Sequence, residues 1–133
     1  MTRTQAREQA FLVIFQSTFF KNITQMQLLE KSIADEQIVN NEFTEELCCA
    51  VFENLREIDE LIARHSSKWE VKRISRVAIS VLRLAIAELM FMVDIPHRVA
   101  INEAIELTKK FTDKEEALFV NGVLGGVAAL PAG

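Results

Sequence analysis

A single all-helical domain is the fold class this sequence predicts, and two observations carry it. Half of the 133 residues are hydrophobic, with only four glycines, two prolines and no tyrosine. Strands would demand more turn residues and a strict apolar–polar alternation. Apolar residues instead recur at three- and four-residue spacing, the signature of amphipathic helices. A chain of this length buries about 65–70% of its unfolded surface, enough for one core. No internal repeat or low-complexity tract divides it.

The first helix is expected over about Thr4–Phe20, with Ala10, Phe11, Ile14, Phe15 and Thr18 as its apolar stripe. A short second helix, about Thr24–Ala34, turns Met26, Leu29 and Ile33 inward. Asn40-Asn41 reads as a loop and Thr44 as an N-cap, with Glu45 and Glu46 in the favourable first turn. The third helix, near Glu45–His65, is the longest, with Leu47, Val51, Leu55, Ile58, Leu61 and Ile62 along one face. Trp69 and Ile74 lie in a basic connector. Ser75 caps a fourth helix, Arg76–Met92, apolar around nearly its whole circumference and therefore central. Asp94-Ile95-Pro96 ends it, because proline disfavours helix in the residue before it. The fifth helix runs over about His97–Phe111 and the last over about Lys114–Leu130, with Thr112-Asp113 as the N-cap between them. The result is a compact bundle of six to seven helices. Two three-helix subdomains are expected, parting near Ser66–Lys72.

The formal charge of −4 gives no global attraction to nucleic acid, so RNA binding would need a local basic patch. Arg64, Lys68, Lys72, Arg73, Arg76 and Arg83 cluster against Glu70 alone, whereas residues 30–60 are strongly acidic. The adjacent Cys48 and Cys49 read as buried reduced thiols rather than a disulfide or a metal site, which suits a cytoplasmic location. No secretory signal is visible at the N-terminus. Val77–Val93 is marginal in length for a membrane span and is interrupted by Arg83 and Glu88.

A catalytic constellation is not found. His65 and His97 fall on different helices without zinc-site spacing. Gly122, Gly125 and Gly126 lie late in an apolar helical stretch, not between a strand and a helix. Close packing at Gly122 and fraying at Gly125-Gly126 account for them. Glu103 and Glu106 read as a solvated face. No enzyme activity, cofactor or metal is expected.

The segment Val99–Leu124 is the most particular: INEAIEL, a polar gap, then FVNGVL. It closely resembles the C-terminal signature of the NusB family, bacterial transcription antitermination factors that bind RNA. Ala6-Arg7-Glu8 and Phe15-Gln16 match that family's opening segment, and Leu82-Arg83-Leu84 and Glu88-Leu89 match its central helix. The resemblance implies binding of boxA, a linear single-stranded RNA, together with NusE, a small-subunit ribosomal protein. This would occur without catalysis, within an antitermination complex on RNA polymerase that serves ribosomal RNA synthesis. Both monomers and homodimers occur among relatives.

On this resemblance the candidate RNA-binding residues are Arg3, Arg7, Arg98, Lys110, Lys114, Phe119 and Asn121. Arg3 and Arg7, four residues apart, share one face of the first helix. Thr4 and Gln5 stand where relatives often carry further basic residues. Lys110 and Lys114 flank one turn. Phe119 fits either base stacking or ordinary core packing, and the Asn121 amide suits a base edge. The candidate partner face is Trp69, Arg73, Arg76, Val77 and Val81. Ala78 replaces a position charged in some relatives, and Arg83 reads as either a structural ion pair or a contact. Two rivals compete: a protein-binding helical adaptor, and a stand-alone relative of the NusB-like domain attached to some RNA methyltransferases.

Overall fold

The computed structural model describes residues 1–66 and 74–130, and all of its regular structure is helical. The described residues form seven helices: α1 (Arg3–Ser17), α2 (Gln25–Ala34), α3 (Glu42–Glu53), α4 (Leu55–His65), α5 (Arg76–Phe91), α6 (His97–Phe111) and α7 (Lys114–Ala128). Side chains set most of the starts. Thr2 and Thr24 each accept a backbone N–H three residues on, while Gln5 and Gln27 reach back to the capping residue. Ser75 and Asp113 cap α5 and α7 by accepting the backbone N–H of Ala78 and Glu116.

Three expected boundaries move, each through short polar side chains. The expected 45–65 helix is two helices, broken at Asn54. There φ is −124° and ψ 22°, and the side-chain amide donates to the Ala50 carbonyl at 2.8 Å. This bond competes with the backbone ladder. Asn41, not Thr44, caps α3. Thr44 lies one turn in and buried, its hydroxyl donating to the Ala6 carbonyl at 3.1 Å and accepting from Gln9 at 3.2 Å. The first helix stops at Ser17 rather than Phe20. The hydroxyls of Ser17 and Thr18 donate to the Ile14 and Phe15 carbonyls, leaving Phe19 and Phe20 exposed.

α5 packs against α1, α3, α4, α6 and α7. Its Val81, Leu82 and Ile86 are completely buried, among Phe11 and Ile14 of α1, Leu47 and Val51 of α3, Ile58 of α4, and Val120 and Leu124 of α7. Each such side chain stabilises the fold by about 1.5–3 kcal/mol over an exposed one. Arg83 makes a structural pair, donating to both Asp59 carboxylate oxygens at 2.9 and 3.0 Å and so tying α5 to α4. Among the glycines of α7, Gly126 is the close approach. A Cβ there would come 2.6 Å from Cδ2 of His65, whereas Gly122 and Gly125 face open space.

Candidate nucleic-acid interface

The N-terminal turn of α1 brings its two arginines into unlike surroundings. Arg3 is exposed, with its guanidinium carbon 4.5 Å from the centroid of the Phe43 ring. Arg7, one turn later, is only 4% exposed. Its Nε donates to Glu88 Oε1 on α5 at 2.7 Å, its Nη1 lies 3.8 Å from Glu103 Oε1 on α6, and its guanidinium carbon is 5.2 Å from the same Phe43 ring. Thr4 donates its hydroxyl to Glu103 at 2.8 Å. Burial pushes the Glu88 carboxyl above its usual range, opposed first by Arg7 and more weakly by Arg3. Lys110, at the end of α6, reaches back to Glu8 of α1 at 2.6 Å.

Arg3, Arg7 and Lys110 are therefore gathered around α1. The groove that Arg7 and Lys110 line is not a phosphate seat, however. Glu8, Glu88, Glu103 and Glu106 also line it, and both cations are already paired there. The expectation that Arg7 presents its charge to a ligand is corrected: its burial needs a carboxylate partner, and Glu88 supplies one. Glu103 is likewise part of this network rather than a solvated residue, while Glu106 is exposed.

Arg98 and Lys114 are exposed and make no ion pair among the described residues. Lys114 opens α7 three residues beyond the end of α6. Asn121 is exposed on α7. Phe119 is 4% exposed and belongs to the core with Val120, Val123 and Leu124, so core packing is the reading that stands.

The NusB family profile matches residues 4–129. The chain belongs to the NusB family. A transcription antitermination protein NusB of Agathobacter rectalis is 37% identical over 131 residues, covering 96% of this chain and 100% of that protein. One of Bacillus cereus is 41% identical over 127 residues, covering 96% and 97%. Among solved structures, T. maritima NusB is similar with a TM-score of 0.86 at 38% identity, covering 100% of this chain and 94% of that one. A chain from the crystal structure of NusB and NusE in complex with double-stranded RNA has a TM-score of 0.81 at 28% identity, covering 95% of each.

On this NusB scaffold the expected partner face is only partly exposed. Val81 is fully buried and cannot touch a partner, because α5 is enclosed on that side. Val77 is half-buried against the core. Arg76 is exposed, donating to the Thr18 carbonyl at 2.8 Å and lying 4.3 Å over the Phe19 ring. Trp69 and Arg73 lie outside the described residues. The sequence reading missed Glu88, Glu103, Thr4 and Phe43 as neighbours of the arginines. Glu88 had a signal: a carboxyl within a largely apolar helix must be paired or neutralised when buried.

Among the described residues no helix is long and apolar enough to cross a membrane, and no group of three or more His, Cys, Asp or Glu could hold a metal ion. Cys48 is buried and Cys49 half-buried, both free.

Proposed function

We propose that this chain is a bacterial transcription antitermination factor that binds boxA-type single-stranded RNA together with NusE. It would act as a non-catalytic, cytoplasmic scaffold in an antitermination complex on RNA polymerase, supporting ribosomal RNA synthesis. The observation that carries this reading is the whole-chain likeness to a NusB solved with NusE and RNA. The exposed cations Arg3, Arg98 and Lys114 would hold phosphates, the exposed Lys110 would exchange Glu8 for a phosphate outside the groove, and Asn121 would read a base edge. The edge formed by Arg76 and Val77, continued by the exposed Phe19 and Phe20, would meet NusE.

The test is a titration of boxA-like RNA with and without NusE at several salt concentrations. Four phosphate contacts predict a log–log slope of about −3, at roughly −0.7 per contact on a single strand. A duplex competitor separates single-strand from double-strand preference. Asn121→Ala is expected to shift base preference more than salt slope. Absence of binding with NusE present, or a flat salt response, would overturn the proposal. The adaptor reading would then hold, favoured by the burial of Arg7 and Phe119 and by the acidic groove beside α1.

A further inference from the structure

At the start of α1 two guanidinium groups share the Phe43 ring of α3, yet among the described residues only one has a carboxylate within ion-pair distance. Arg7 is enclosed and held by Glu88 at 2.7 Å, with Glu103 at 3.8 Å. Arg3 is exposed; Glu42 and Glu46 line the same recess, but neither is within ion-pair distance of it among the described residues. Its seat over Phe43 therefore rests on a cation–π contact, which a neighbouring unneutralised cation would oppose. We propose that Glu88 is a positioning residue for Arg3: by neutralising Arg7, it allows a second guanidinium to occupy the Phe43 ring and face solvent in one orientation. A buried ion pair is weak evidence of a stability role, since apolar residues of like volume often serve as well. Orienting an exposed neighbour is a role apolar residues could not fill while Arg7 remains. The consequence for RNA rests on the function proposed above; the placement of Arg3 does not.

The experiment follows the Arg3 side-chain protons of the full chain by NMR, with Phe43 supplying an upfield ring-current shift. Glu88→Gln keeps the shape and a hydrogen-bond acceptor but removes the charge, and is expected to move those protons to solvent-exposed values. Arg7→Met combined with Glu88→Gln removes the competing cation and is expected to restore the shift. A purely structural role for the pair would restore the shift as well, but it would also disturb the backbone amide shifts along α1 and α3 in Glu88→Gln, which stay at wild-type values if only Arg3 is displaced. If the shift survives Glu88→Gln, or is not restored in the double variant, the proposal is overturned. Should Glu88→Gln fail to fold, Glu88→Asp, which draws the carboxylate back from Arg7 by one methylene, gives the same test, with a smaller movement expected and an unchanged shift overturning the idea. In the RNA titration with NusE, Glu88→Gln and Arg3→Ala are each expected to weaken binding by about three- to tenfold, the scale of one charged contact. Together they should weaken it no further. If Arg3→Ala alone leaves RNA affinity unchanged, the RNA role of Arg3 fails while the NMR result still decides the placement.

Discussion

Gly126 and Gly122 stand one turn apart on α7 and should respond oppositely to the same substitution. Alanine at Gly122 meets nothing within 4 Å, so the gain in helix propensity, about 0.5–1 kcal/mol, should appear as a higher melting temperature. Alanine at Gly126 would displace the His65 ring, whose Nδ1 lies 2.9 Å from the Leu61 carbonyl. The expected result is a net loss of about 1 kcal/mol, roughly the worth of that hydrogen bond. The sequence suggested close packing at Gly122 because helical period shows which residues share a face. It does not show that His65 of α4 packs against the next turn. Arg7 and Glu88, 81 positions apart, were hidden for the same reason. Cys48 carries a different residue-scale consequence. Burial pushes its thiol up to about 12, whereas Cys49 is raised and only half-buried. The folded state retains the Cys48 proton through the range in which an unfolded cysteine, near 9, has lost it. Its contribution to stability is thus fully present below that range and lost as pH rises toward 12. Within that window stability should fall by up to about 1.4 kcal/mol per pH unit from this one group. Denaturation series above pH 9 should show a shallower fall for Cys48→Ala than for the wild type.

At the scale of elements, α3 and α4 were one helix in the sequence because their apolar residues kept a continuous period across residue 54. Asn54 was the available warning, since asparagine readily bonds its own backbone in place of the ladder. The break matters because α4 must turn Ile58, Leu61 and Ile62 toward α5 and α7. Asn54→Ala would remove the bond to the Ala50 carbonyl while offering a better helix former. We expect packing to prevail: stability falls by about 0.5–1.5 kcal/mol in urea unfolding, and ellipticity at 222 nm stays unchanged. A gain in ellipticity with unchanged stability would mean that Asn54 alone holds the two helices apart. Where caps were side chains followed by a clear apolar period, as at Ser75 and Asp113, the boundary was legible within a residue. Helix ends set by Ser and Thr hydroxyls folding back, as at Ser17, were not.

At the scale of the whole molecule, the two expected subdomains share one core. Phe11, Leu47, Ile58, Leu82, Ile86 and Leu124 belong to one buried cluster drawn from α1, α3, α4, α5 and α7, and α5 touches the helices on both sides of the connector. Its near-uniform apolarity was the readable sign of this centrality, because only a helix enclosed by neighbours can bury its full circumference. Neither half could unfold alone without exposing one side of α5, so unfolding should be a single cooperative event. Calorimetry should give one transition with an enthalpy of about 90 kcal/mol near 60 °C, equal to the van't Hoff value. Ile86→Ala, which empties a fully buried site, should lower that transition by about 2–5 kcal/mol without splitting it. Two resolved transitions, or movement of only part of the signal in Ile86→Ala, would mean that the halves fold independently and that α5 belongs to one of them.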